Sequence, residues 1–399
     1  MSVMPLTRSV AEAPSWCAHD DWKTFTYAPQ PVRTRLLGRT ELAITPIVFG
    51  AMAYRQRDDG ATIETLRAAI AAGITSIDTA PLYGFGRSES LVGQAIAGQH
   101  DRVQVLTKVG LRWDDEHGDV LFAFDDGGRT ITVRKDSRPA SVRRDVEQSL
   151  RRLGIERIDL CQVHHPDRHT PIAETMGALL DLRREGKIAH IGVSNVSVDE
   201  QRAAQAALGD VPLCSHQLEL NPLRRDAERD LVPACRRMQV GVLAYGPLMH
   251  GLLAGRGLGR RRLAAGDVRG WDPAFHRSNA TRVAQALRHA VLPVAVRHDV
   301  SVAEIVLAWV LGRPGVTAVI AGASNALQAR RNARAATLEL DEPSRARITR
   351  AFEAVMLDPD LRPSIGDRLL GRSQRLWARI VDPLVAPAHS RASGKKEAT

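Results

Sequence analysis

Lysine is nearly missing from this basic chain. Of 55 basic residues among 399, only Lys23, Lys108, Lys135, Lys187, Lys395 and Lys396 are lysines. Aromatic residues are scarce too, at 4%. A net charge of +10 invites a nucleic-acid reading, but few aromatics accompany the basic clusters to stack on bases. Those clusters, such as Arg143–Arg144, Arg151–Arg152 and Arg260 to Arg262, are scattered and mostly interleaved with acids. The charge therefore reads as a solvated surface, and nucleic acid is not expected as a partner. No apolar run reaches the ~18 residues of a membrane helix, so no membrane partner is expected either. The N-terminal MSVMPLTRSVAEAPSWCAHDD lacks the continuous apolar core of a signal peptide. Cysteine occurs only as Cys17, Cys161, Cys214 and Cys235, with no CxxC pair. Two of the four sit in strand-like apolar runs, which suits reduced thiols in a cytoplasmic protein.

What is present is a rhythm. Short β-branched or apolar runs recur at TPIVFGAM (45–52), ITSIDT (74–79), VQVLTK (103–108), IDLCQVH (158–164), IAHIGVSN (188–195), LCSHQLE (213–219), VGVLAYG (240–246) and TAVIAG (317–322). Amphipathic segments such as SVRRDVEQSLRRLG and IAETMGALLDLRREG separate them, several closing on glycine, a common helix stop. Continuous apolar strands alternating with helices predict a parallel sheet covered by helices. Eight such units without a break predict a closed (β/α)8 TIM barrel. The expected organisation is an N-terminal tail over 1–32, a barrel over 33–358 and a partly disordered C-terminal extension over 359–399. RTRLLGRTELAITPIV, before the first run, reads as a hairpin that caps the barrel's bottom. Residues 110–139 and 247–279 read as long insertions at its mouth.

The stretch GITSIDTAPLYGFGRSE concentrates the chemistry. A carboxylate at the end of a buried strand, Asp78, is costly unless paired. In a TIM barrel the strand ends share one opening, and here they carry Asp78, Lys108, His164, Ser194 with Asn195, Gln217, Tyr245 and Gly322. Lys108, on the neighbouring strand, is the expected partner of Asp78. A strand-end lysine in a chain with about eight arginines per lysine suggests that a compact, tunable ammonium matters there. Held near Tyr83, it is expected to lower the phenol's pKa from ~10 toward neutrality, making a general acid and base. His164 would orient a carbonyl oxygen or assist proton transfer. Each feature has a plainer meaning alone: a structural ion pair, a loop tyrosine, a serine–asparagine turn. His164, His165, Asp167 and His169 also suggest a metal cluster, but they straddle a proline without helical spacing, and no metal is expected. Joint placement at consecutive strand ends is what favours a catalytic site.

These motifs, Asp78-Thr-Ala-x-x-Tyr83-Gly, LTK ending at Lys108, QVHHPD, IGVSN, HQLELNP, AYGPL and GASNALQARRN, together resemble the aldo-keto reductases. The likeness is greatest to the bacterial general-stress-type and potassium-channel β-subunit-like branch, over roughly residues 34 to 355. The resemblance implies an NAD(P)H-dependent carbonyl reductase with Asp78, Tyr83, Lys108 and His164 as catalytic tetrad. It implies that Ser194, Asn195 and Gln217 bind the nicotinamide carboxamide and that Tyr245 stacks on the ring. Gly50 joins the cofactor set, Gly246, Pro247 and Leu248 cover the pyrophosphate, and the segment from Gly322 through Ser324 and Gln328 to Asn332 holds the adenosine end. Where the family commonly has basic residues for the NADPH 2′-phosphate, this chain has Ser324 and Asn325, with Arg330 and Arg331 following. NADP(H) is the expected cofactor and NAD(H) the alternative. The implied substrate is a small carbonyl compound or sugar, in a pocket to which Tyr54, Trp113, Phe122, Phe124 and Trp271 are candidates. A cofactor-sensing subunit with little turnover is the alternative function.

Overall fold

The computed structural model describes residues 33–52, 58–126, 129–255, 269 and 272–361. The N-terminal tail, nearly all of the C-terminal extension, and the pocket candidates Tyr54 and Trp271 lie outside the described residues. A short antiparallel pair comes first, β1 (Arg35–Leu36) and β2 (Ala43–Ile44). Then follow β3 (Ile47–Gly50), β4 (Ser76–Asp78) and β5 (Gln104–Val109). The first insertion holds β6 (Leu111–Arg112), β7 (Val120–Asp126) and β8 (Arg129–Lys135). The sequence of strands ends with β9 (Ile158–Val163), β10 (Ile188–Ser194), β11 (Leu213–Glu219), β12 (Gly241–Tyr245) and β13 (Val316–Ala321). Strands β3, β4, β5 and β9 to β13 close into one all-parallel barrel in chain order, with β13 pairing back onto β3. It is an eight-stranded (β/α)8 TIM barrel.

Helices α1 (Asp59–Ala71), α2 (Arg87–Ile96), α3 (Pro139–Leu153), α4 (Ile172–Arg184), α5 (Val198–Leu208) and α6 (Leu231–Met238) cover the first six intervals. The seventh holds a run that the periodicity missed, α7 (Arg277–Ala286), a π-helical turn (Leu287–Val291) and α8 (Leu292–Arg297), and after it α9 (Val302–Leu311), which the SVAEIVLAWVLGRPG pattern predicts. The π turn has a physical cause. Pro293 cannot donate to the carbonyl four residues before it, and that carbonyl, His289 O, accepts instead from Arg347 Nη2. Helices α10 (Ala326–Ala335) and α11 (Glu342–Glu353) complete the ring. Among the described residues no helix is long and apolar enough to cross a membrane.

Period two within each strand positions the site. Outward residues such as Val105, Cys161 and Val242 meet the helices. Inward ones, Val48, Leu106, Leu160, Leu243 and Ala318, form a separate apolar plug inside the barrel. Two residues beyond Leu106 and Leu160 on the same inward face come Lys108 and Gln162, which lie opposite each other. The interior row is thus apolar below and polar at the mouth. The hairpin of β1 and β2 caps the bottom, as its alternation suggests, with buried Leu37, Leu42 and Ile44 joining the plug. Gly38 turns this hairpin with φ +62°, and a Cβ there would meet Cys214 O at 2.5 Å, so glycine is required.

The first insertion differs from the polar loop expected. Strands β6, β8 and β7 make an antiparallel sheet, with Phe122 opposite Val133 and Phe124 opposite Ile131. The signal was legible in VLFAFDDGGRTITVRK: alternating apolar residues on both sides of an Asp-Gly turn.

The close packing of α2 on α3 yields a test. A Cβ on Gly93 would lie 2.5 Å from Leu153 O, a backbone atom that cannot rotate away. Gly93→Ala gains about 1 kcal/mol of helix propensity but overpacks this contact at a cost of about 1–3 kcal/mol. The net expected result is a lower urea midpoint with an unchanged m-value. A raised midpoint would show that α2 moves freely.

Candidate active site

The loop carrying Tyr83 is shaped by its backbone and then pinned from below. Gly84, Phe85 and Gly86 all have left-handed φ, at +61°, +55° and +93°, and the chain turns back so that Ser88 N donates to Tyr83 O at 3.1 Å. Ser88 Oγ donates to Ala51 O at 2.6 Å and pairs with Thr79 Oγ1 at 2.8 Å. Glu89, fully buried, accepts from Thr107 Oγ1 on β5 and from Arg152 Nε on α3, each at 2.7 Å. The tyrosine loop is therefore tied to β3, β5 and α3.

Lys108 has no exposed surface, and its ammonium spends all three protons. Nζ donates to Asp78 Oδ1 at 2.6 Å, to Thr79 O at 3.0 Å and to Tyr83 OH at 3.2 Å. The second carboxylate oxygen of Asp78 accepts from Gln217 Nε2 at 2.8 Å and from Gln162 Nε2 at 3.4 Å. The partner inferred for Asp78 is thus in place. The His164 ring stands edge-on to Tyr83, centroids 5.9 Å apart and planes at 81°.

One electrostatic expectation is overturned. Burial, and then the Asp78 carboxylate, hold the Tyr83 phenol well above its usual pKa, not below it. Loss of water around the phenol is the larger cause, and the Asp78 carboxylate, which takes the shortest bond of Lys108, adds to it by opposing a phenolate. Burial, followed by Lys108 and His165, pushes the His164 imidazole well below its ordinary value. The site at neutral pH therefore holds a protonated phenol beside a neutral imidazole.

The remaining residues trace an arc around the mouth. Ser194 ends β10 opposite Gln217. Asn195, in a left-handed conformation with φ +58°, donates to His164 O and accepts from Tyr245 OH at 2.8 Å. Gly246 to Leu248 turn back on themselves through Met249 N to Gly246 O, and Asn221 Nδ2 holds Gly246 O at 3.2 Å. Across the opening Gly50 adjoins Asp78, and a Cβ on Gly322 would lie 3.2 Å from Gly50 O. Asn332 Nδ2 holds Gly322 O at 3.1 Å, while Gln328 accepts from Ser324 N at 2.9 Å. Asp78, Lys108, Tyr83, His164 and this arc gather at the C-terminal ends of the barrel strands; Gln217, expected on a ligand amide, instead directs its nitrogen at Asp78. The two facing glycines, the Ser194–Asn195 polar pair and the half-buried Tyr245 ring have the chemistry that suits a nicotinamide dinucleotide. Arg330 is exposed and makes no hydrogen bond or ion pair among the described residues.

Residues 46–353 match the family model for the aldo/keto reductase family. The chain belongs to that family. Aldo-keto reductases are oxidoreductases that use nicotinamide cofactors on small carbonyl substrates. This member is 34% identical over 277 residues to the aldo-keto reductase YhdN of Bacillus subtilis, covering 69% of this chain and 78% of that one. It is 32% identical over 330 residues to the NADH-specific methylglyoxal reductase of Escherichia coli, covering 80% and 98%. Among solved structures, the glycerol dehydrogenase of Gluconobacter oxydans superposes with a TM-score of 0.72 at 32% identity, over 84% of this chain and 98% of that one.

The aldo-keto reductase motifs did not reveal Gln162, Glu89 or Arg152 as supports of the site. Gln162 had a signal: it sits two residues before His164, on the inward face of an otherwise apolar strand. Glu89 and Arg152 had none, because their meeting depends on how α3 packs under α2.

Removing one partner of a buried ion pair costs about 3–5 kcal/mol. Asp78→Asn leaves Lys108 with Thr79 O and Tyr83 OH, so a loss near the lower end, about 3 kcal/mol, is expected in urea unfolding. A loss under about 1 kcal/mol, the level of an exposed pair, would mean that Lys108 reaches water once Asp78 is neutralised.

Proposed function

We propose that this aldo-keto reductase reduces aldehydes or ketones to alcohols, or runs the reverse reaction, with Tyr83 as general acid and base. The reading rests on one observation: Lys108 Nζ bridges Asp78 Oδ1 and Tyr83 OH with no exposed surface. Tyr83 would deliver its proton to the developing alkoxide oxygen. Lys108 would steady the phenolate left behind, and Asp78, held by Gln162 and Gln217, would keep the ammonium in place. Neutral His164 would orient the carbonyl oxygen by donating a hydrogen bond. A bound nicotinamide cofactor supplies the hydride. Ser194, Asn195, Tyr245 and the Gly246–Leu248 turn would hold its nicotinamide half, with Gly50, Gly322, Ser324, Gln328 and Asn332 at the other. An intact acid–base set supports an enzyme over a cofactor-sensing subunit, which needs only the nucleotide residues. The branch is read as the bacterial general-stress-type and channel-subunit-like one.

Tyr83→Phe removes the proton donor and little else. Acid catalysis is typically worth ~10²–10⁴-fold, so kcat for carbonyl reduction should fall at least a hundredfold while the nucleotide dissociation constant changes little. Retention of more than about a tenth of the rate would unseat Tyr83. Because the phenol is held above ~10 and the imidazole below ~6.5, reduction should be flat with pH between those values. Alcohol oxidation, which needs the phenolate, should climb with rising pH.

Cofactor choice turns on one phosphate. Ser324 and Asn325 offer neutral hydrogen bonds, roughly half as strong as charge-assisted ones, and Asn325 Oδ1 is already the cap of α10, accepting from Gln328 N at 2.9 Å. We propose NADP(H) as cofactor with a modest preference over NAD(H), carried by Arg330 or Arg331. The Escherichia coli relative's NADH specificity makes NAD(H) the competing outcome. Arg330→Ala should lessen the preference and Ser324→Arg strengthen it, read by tryptophan fluorescence titration at two salt concentrations. A preference for NADH that ignores salt would refute the assignment.

A further inference from the structure

The lysine of the insertion sheet is placed unlike a surface lysine. Lys135 ends β8 and pairs with Leu111 of β6, so the two side chains share one face of the small sheet. Val133, two residues earlier, is on that face as well. Leu111 and Val133 belong to the apolar cluster against which Tyr83 packs. Lys135 therefore sits on the face that covers the catalytic tyrosine, and only 8% of it is exposed.

Its ammonium makes no hydrogen bond or ion pair among the described residues, although carboxylates lie in its field. Each of these has another partner. Asp119 takes His169 Nε2 at 2.8 Å. Asp167 accepts from Ser137 N, Thr170 Oγ1 and His169 N. Glu200 accepts from Ser197 N at 2.7 Å in the capping box of α5. Burial and Arg168 lower the Lys135 pKa, a shift that a bound anion would oppose. Lys135 is thus a cation largely enclosed by protein with no counterion in direct contact, a charge that a ligand anion would match.

His165 adds a neutral donor. Asn195 Nδ2 lies 3.4 Å from its Nε2, and a neutral imidazole carries one ring N–H. Burial, then Lys135 and Lys108, push this imidazole down to about 4. Its ring stacks on that of His164, centroids 5.5 Å apart.

We propose that Lys135 and His165 form an anion-binding subsite beside Tyr83 and His164, so that the preferred carbonyl substrates carry a carboxylate or a phosphate. This rests on the carbonyl-reducing reading given above. The test compares kcat/KM within matched pairs, 4-carboxybenzaldehyde against benzaldehyde and glyceraldehyde 3-phosphate against glyceraldehyde. Wild type, Lys135→Met and Lys135→Arg are measured. A charge-assisted bond is worth ~1.5–3 kcal/mol, or about tenfold and more, so the charged member of one pair should be favoured at least tenfold. That ratio should collapse in Lys135→Met and largely return in Lys135→Arg. The pair that responds distinguishes carboxylate from phosphate.

A ratio unmoved by Lys135→Met in an enzyme that reduces benzaldehyde would overturn the subsite and leave the reductase reading standing. Calorimetric titration of benzoate, and separately of inorganic phosphate, into the protein reads the subsite without turnover. Binding lost in Lys135→Met supports it even if no aldehyde is reduced, whereas binding equal in both proteins overturns it. Circular dichroism establishes that both variants are folded.

Discussion

Everything at the mouth depends on keeping one ammonium in a place where water does not reach. Taking a lysine headgroup out of water costs several kcal/mol, and Lys108 recovers this only because three acceptors from the β4 end and the loop after it converge on its three protons. Those acceptors converge because β4 and β5 are neighbours in a closed barrel and their inward residues rise in step. Asp78 needs its own support, and two glutamines from β9 and β11 provide it. Four of the eight barrel strands are thus committed to a single charge.

Burial first, and then that commitment to Asp78, explain why the tyrosine is not the acidified phenol one would expect beside a lysine. A charge already neutralised by a carboxylate has little left for a second partner. In the proposed reaction the ammonium would stand ready to receive the negative charge when the proton leaves. Lys108 comes closer to Asp78 than to Tyr83, 2.6 Å against 3.2 Å. Adjacency along the chain, or even between strands, does not reveal such a difference.

The fold was legible because its physics is periodic. Apolar strand runs and glycine-closed helices repeat often enough that errors of a residue or two at each boundary leave the count intact. The gathering of Asp78, Lys108 and His164 was legible because strand ends share one end of the barrel, with Tyr83 brought in by the loop after Asp78. What escaped was set by packing. The sheet of β6 to β8 differs from the polar insertion its sequence suggests because its polar edges outweigh its apolar positions. Glu89, Thr107 and Arg152 could not be connected, since the contact between α2 and α3 leaves no mark on the periodicity of either. The helix through Leu287–Val291 went unread because Pro293 masks it, and only Arg347 shows how the fold accommodates that proline.

The β1–β2 hairpin has a consequence for traffic. With Leu37, Leu42 and Ile44 driven into the interior against Leu106, Leu160 and Leu243, the barrel becomes a vessel stoppered at its base. Among the described residues the base is filled by side chains, so the approach to Lys108 and Tyr83 lies on the side of the strand C-termini.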